Sequence, residues 1–159
     1  MSIKEFELFH GAVLTKLVRA DKPLTLRMIE TRSGDQWSTY RINDELRLLI
    51  KHSIKGGARK RESAIAWQFV FSPDQMQQLA ESDTWCSLVC ASSDARDDEM
   101  EVCLLDPAQI SQLLDVSSMG QQALTVKRIE GKSLRVFSAK CEELVIARNR
   151  LEKWAVPGS

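Results

Sequence analysis

The sequence predicts an α+β fold: a central mixed or antiparallel sheet with a long N-terminal helix packed on it, two further helices and a β-rich C-terminal segment. Three observations point there. Ile3, Phe6, Phe9, Val13 and Leu17 recur at helical intervals, and short alternating segments follow them. Two matching helix-start signatures, Ser72-Pro73-Asp74-Gln75 and Asp106-Pro107-Ala108-Gln109, stand between such segments. Helices and strands are segregated instead of strictly alternating, which argues against a doubly wound sheet.

Taken in order, Ser2 and Glu5 have capping-box spacing at the start of the first helix, and Leu14 and Val18 widen its apolar stripe. Pro23 ends it, because proline lacks a backbone donor and disfavours helical geometry in the residue before it. Leu24, Leu26 and Met28 then alternate with Thr25, Arg27 and Ile29 as a half-buried strand does, and Ser33-Gly34-Asp35 reads as a turn. Residues 37–42 form the returning strand, Asn43-Asp44 breaks it, and the apolar run from Leu46 to Ser53 makes a third. A fourth strand covers Ala66 to Phe71. The helix capped by Ser72 buries Met76, Leu79 and Ala80, and a strand from Trp85 to Ala91 follows. The acidic stretch from Ser92 to Met100 reads as a long hairpin loop leading into Glu101 to Leu105. The third helix runs to about Leu114 with Ile110, Leu113 and Leu114 inward. Leu124 to Ile129 and Ser133 to Phe137 flank the turn Glu130-Gly131-Lys132 as a second hairpin, Leu144 to Ile146 is a last strand, and Asn149 to Trp154 a helical tail.

A chain of 159 residues, 43% apolar and 28% charged, suits one domain, with a core over 3–115 and a β-rich C-terminal extension over 116–159. No run of apolar residues is long enough to span a membrane, and Met1 to Glu5 lack the features of a signal peptide, so the sequence reads as cytoplasmic with no membrane partner. Cys86, Cys90, Cys103 and Cys141 lie in or beside apolar runs, as reduced, buried thiols would. The formal net charge is zero, which by itself favours neither nucleic acid nor an anionic surface. Its distribution is uneven. Arg47, Lys51, Lys55, Arg59, Lys60 and Arg61 follow one another with no acid between them, whereas six acids and one cation occupy 94–106, and eight cations against four acids occupy the chain from Val116 on.

The segment from Phe6 to about Leu114 resembles the PD-(D/E)XK, restriction-endonuclease-like superfamily in element order: a leading helix, a strand meander, a helix and a further strand. Leu48-Leu49-Ile50-Lys51-His52-Ser53 is similar to the strand that carries the active-site lysine in such nucleases. The resemblance implies metal-dependent phosphodiester cleavage, with Mg²⁺ as the cofactor if the chain is catalytic. The motif departs from the family where Leu49 stands in place of an acid, and a metal site needs at least two converging carboxylates. With Lys51 as the cation, the acids would come from Glu5, Glu7, Glu30, Asp44 or Glu45, and the catalytic set that follows is Lys51, Glu30 and Glu45, with the metal ligands left open. Each acid also has a plain reading: Glu5 as a cap, Asp44 as a turn residue, Glu30 and Glu45 as solvated strand-end charges.

Lys55, Arg59, Lys60 and Arg61, spread by Gly56-Gly57, make a loop able to hold a phosphate backbone, or equally a solvated connection between strands. Zinc is disfavoured, because Cys86 and Cys90 on one strand stand roughly 13 Å apart. The acidic loop lacks the ligand alternation of a calcium-binding loop, and no nucleophile elbow or phosphate-binding glycine motif occurs. The four tryptophans read as packing residues, although an exposed Trp154 would mark a docking tail. The function expected is therefore a nucleic-acid-associated protein of restriction-endonuclease-like fold with a degenerate or displaced metal site, DNA or RNA being its partner. The alternative is a non-catalytic protein-interaction subunit of a larger cytoplasmic assembly.

Overall fold

In the computed structural model, residues 5–18, 26–32, 37–55, 64–92, 100–118, 120–148, 150–151 and 153–154 are described. The elements run α1 (Glu5–Val18), β1 (Leu26–Arg32), β2 (Trp37–Ile42), β3 (Leu46–Lys55), β4 (Ala64–Phe71), α2 (Pro73–Ala80), β5 (Thr84–Ser92), β6 (Glu101–Leu105), α3 (Pro107–Leu113), β7 (Gln122–Ile129), β8 (Leu134–Ser138) and β9 (Leu144–Ile146). The α+β class follows directly. One detail of the expectation needs correction: the N-terminal helix is not long, its 14 described residues being an ordinary length for a globular helix. The strands form two sheets, a mixed one of order β1-β2-β3-β5-β6 and a second of order β4-β7-β8-β9.

Local chemistry explains most boundaries. Asn43 and Asp44 both sit at φ 54°, the left-handed region that these two residue types tolerate best, and so turn β2 back on β3. Ser72 and Asp106 each accept the backbone N–H three residues on, and Gln75 and Gln109 return the bond to the cap backbone. Gly131, at φ +74°, closes the β7–β8 hairpin where a side chain would be strained. The 149–154 stretch contributes turns, not a helix, among its described residues: Arg150 N–H bonds to Ala147 O and Trp154 N–H to Leu151 O.

In the five-stranded sheet β1, β2 and β3 form an antiparallel meander, β5 lies parallel to β3, and β6 is antiparallel to β5. One face receives α1: Phe9, Val13 and Leu17 pack with Tyr40, Leu48, Ile50, Val89 and Leu104, together with Leu151 from the chain's end. The other face receives the inner face of the four-stranded sheet, where Trp67, Phe69, Phe71, Leu124, Val126 and Val136 meet Trp37, Leu49, Cys86, Leu88 and Leu105, with α2 and α3 inserted through Met76, Leu79, Ile110 and Leu113. The strands of 116–159 thus pair with β4 from the first part of the chain. Each large side chain so buried contributes about 1.5–3 kcal/mol of transfer free energy. No helix among the described residues is long and apolar enough to cross a membrane.

Candidate functional site

β3 is the strand on which the chemistry concentrates, because among the described residues it is registered against β2 as far as Lys51, opposite Trp37, and beyond that against β5. Side chains alternate across a sheet. Lys51 therefore faces the four-stranded sheet and His52 faces α1.

The Lys51 side chain is 8% exposed. Its Nζ donates to Gln75 Oε1 at 3.2 Å and lies 5.5 Å from the centroid of the Phe71 ring, a cation–π distance. Gln75 Oε1 also accepts the Ser72 N–H at 2.9 Å, so the capping box of α2 doubles as the seat of the lysine. The lysine thus stands beside the N-terminus of α2, whose first turn also carries the exposed carboxylate of Asp74. Lys51, Ser53, Gln68 and Val70 line a crevice of about 340 Å³ at the C-terminal end of β3. Ser53 closes one wall by donating to the carbonyl of Gln68 at 3.1 Å.

Of the other candidates, the two whose side chains are described, Glu45 and Asp44, stand apart from Lys51. Glu45 is exposed in the turn that precedes β3, six residues from Lys51 and roughly 20 Å along the strand. Glu30 lies on β1 opposite Thr39, which is itself opposite Leu49, so backbone register puts it two strands from the motif position. Lys55 is the last residue of β3, and its side chain, like the loop residues Arg59, Lys60 and Arg61, lies outside the described residues. Glu5 and Glu7 belong to α1 with their side chains likewise undescribed, and Asp44 is exposed in the β2–β3 turn. Ser2 and the acidic 93–99 stretch are also outside the described residues. Leu49 is fully buried between the sheets. Among the described residues no three His, Cys, Asp or Glu side chains approach closely enough to hold a metal ion.

Behind Lys51, sequence reasoning missed a buried polar chain. Ser38 Oγ and His10 Nδ1 are 2.7 Å apart, and His10 Nε2 and His52 Nδ1 3.2 Å apart, all three residues being buried between α1 and the sheet. With both rings neutral, the tautomers that leave no buried N–H orphaned have His52 donating to His10 and His10 donating to Ser38. His52 Nε2 then points a bare lone pair into apolar surroundings, where it has no partner. Burial, reinforced by the nearby Lys51 charge, pulls the His52 pKa down to about 4. The signal was present in the sequence: His52 shares the inward phase of Leu48 and Ile50.

The buried thiols, Glu101 and the Trp85–Trp154 pair hold the fold together. Cys86, Cys90 and Cys103 are free and buried, and burial pushes the Cys86 thiol up to about 12, far from a reactive thiolate. Glu101 is paired with Arg148 and, at 3.9 Å, with Arg128. Trp154 does not form an exposed anchor, because it is half-buried against Trp85 with ring centroids 4.7 Å apart, and Arg150 stacks over the same Trp85 while bonding Asp106. Against protein-family models, curated proteins and solved structures, the chain matches none.

Proposed function

We propose that this chain is a nucleic-acid-associated protein of restriction-endonuclease-like fold whose metal site is degenerate, acting in a reducing cytoplasm. The observation that carries the proposal is the lysine on β3: a nearly buried cation at the positive end of α2, lining a crevice at the strand end from which the basic segment Lys55, Arg59, Lys60 and Arg61 departs. Such a locus attracts phosphate, which supplies most of the affinity of non-specific nucleic-acid binding. The element order behind the resemblance also supports it, with α1, the β1–β3 meander, α2 and then β5 parallel to β3. Degeneracy is supported by Leu49, an interior core residue where the family carries an acid. Removing that acid removes the metal, and with it the activated water and charge stabilisation that cleavage needs.

The test is a titration of labelled single- and double-stranded DNA and RNA at low and moderate salt, beside a cleavage assay in Mg²⁺ and Mn²⁺ with Lys51→Ala as control. Salt-dependent binding without cleavage is expected. Replacing Lys55, Arg59, Lys60 and Arg61 together by alanine lowers the slope of log affinity against log salt by about three. Robust cleavage abolished by Lys51→Ala would overturn degeneracy, and no binding at any salt would overturn the nucleic-acid reading. The protein-interaction alternative would then lead, favoured by β9, a strand with a neighbour on one side only among the described residues and an exposed Val145 at its centre.

A further inference from the structure

Among the described residues, the four-stranded sheet spends one face on the core and leaves the other open. Leu124, Val126, Leu134 and Val136 point inward, so Thr125, Lys127, Arg135 and Phe137 point outward by the two-residue period of a strand. Register then aligns them in two rows. Gln68, Thr125 and Phe137 stand side by side across β4, β7 and β8, and Ala66, Lys127 and Arg135 form the next row.

Two features of this patch are unusual for a plain solvated face. Phe137, 36% exposed, is a large aromatic side chain left on the open side of an interior strand. Beside it, Lys127 and Arg135 are a directly opposed like-charge pair, an arrangement that destabilises a sheet unless an anion lies over it. Glu143 reaches Arg135 at 3.5 Å, but its side chain is more than half exposed, and such a pair is weak enough for a phosphate to displace. Phe137, Gln68, Thr125 and Lys140 also line a cavity of about 480 Å³, within the range of small-ligand sites. Gln68 belongs to this cavity and to the crevice of Lys51 alike, so the two adjoin.

We infer that this open sheet face binds single-stranded nucleic acid, with Phe137 as the platform on which a base stacks and Lys127 and Arg135 as contacts to its phosphates. The inference rests on the nucleic-acid reading proposed above and gives it a surface and a substrate class. An aromatic ring lying on a sheet offers stacking only to an unpaired base, whose face a duplex hides, while amide and hydroxyl groups such as Gln68 and Thr125 suit base edges. A protein partner is less well served. Val70 lies two strands from Phe137 on β4, and Val145 stands in the row of Lys127 and Arg135, so charged side chains interrupt the exposed apolar groups.

Short labelled single-stranded oligonucleotides, titrated into the full chain by fluorescence anisotropy at several salt concentrations, test it. Phe137→Leu keeps an apolar side chain but removes the ring, and is expected to weaken binding about tenfold at unchanged salt slope, whereas Phe137→Trp retains affinity. Lys127→Ala with Arg135→Ala is expected to reduce the slope by about 1.4. Unchanged melting temperatures confirm that the variants remain folded. Binding by the original chain that none of these substitutions alters, or competition by duplex as effective as by single strand, would overturn the sheet-face inference and leave the broader reading standing. Absence of any binding to DNA or RNA would overturn both.

Discussion

The two sheets are built by different rules, and the difference decides where function can reside. In the five-stranded sheet, β3 and β5 are covered on both sides, so Leu48, Leu49 and Ile50 follow one another without alternation, as do Leu88, Val89, Cys90 and Ala91. In the four-stranded sheet, buried and outward residues alternate along β4, β7 and β8. A polar group in the first setting is shut off from water, so its contacts are with the fold: Lys51 meets Gln75, and His10 meets Ser38 and His52, while His52 Nε2 and Ser87 Oγ are left without a partner among the described residues. A polar group in the second faces water and is available to a ligand. A lysine on the motif-like strand is held by the fold, whereas Lys127, Arg135 and Phe137 stand on the outward side of β7 and β8, beyond the segment that carries the resemblance.

The sharpest contrast lies in core truncation. Leu48 is fully buried on β3 between α1 and the sheet. Leu48→Ala is expected to lower unfolding free energy by about 4 kcal/mol, combining lost transfer energy with a cavity that close-packed neighbours cannot fill. Urea denaturation measures it directly. A loss below about 1 kcal/mol would mean that the α1 face is loosely packed, and the distinction between the sheets would fail.

Next comes acid sensitivity, which belongs to the same face. His52 has a pKa of about 4 in the folded chain against 6.5 when unfolded, so the unfolded state takes up the proton first. Its contribution is fully present above pH 6.5 and is lost as pH falls towards 4, amounting to roughly 3 kcal/mol over the whole window. His52→Gln keeps a hydrogen bond within reach of His10 and removes the titration. Urea midpoints at pH 7.5 and 5.0 should therefore fall further in the original chain than in this variant, and equal falls would exclude His52 as the acid-sensitive group.

Much of this was legible in the sequence, for identifiable reasons. The caps at Ser72 and Asp106, the turns at Asn43 and Gly131, and the strands Trp37–Ile42, Glu101–Leu105 and Leu144–Ile146 are set by local chemistry, and they occur where that chemistry requires. The packing of Phe9, Val13 and Leu17 over Leu48 and Ile50 follows from the helical stripe. What local chemistry cannot reveal is partnership at long range. β4 reads as the fourth strand of a meander, yet it leaves that sheet to pair with β7, more than fifty residues on. The site divides along the same line. Lys51 was picked out by its strand, but its seat on Gln75 depends on α2 folding back over β3, and the His10–His52 contact spans 42 residues. Phe137 looked like one more apolar strand residue until its phase, opposite to Leu134 and Val136, put it outside.

The smallest expected effect completes the comparison from the open side. Val145 is 55% exposed on β9, an edge strand, with its neighbours Leu144 and Ile146 carrying the inward contacts. Val145→Thr keeps the β-branched shape that suits an extended backbone and replaces one methyl by a hydroxyl that water can satisfy. Its effect on unfolding free energy should lie within about 0.5 kcal/mol, the usual range for a surface substitution away from caps and cores. The measurement is the urea midpoint, taken at two protein concentrations. A loss above 1 kcal/mol that grows as the protein is concentrated would show Val145 to be covered by a second copy of the chain, since only association makes stability depend on concentration. Phe137, a diagonal neighbour of Val145 on the outward side, would then adjoin that interface, and self-association would compete with a base for the same surface.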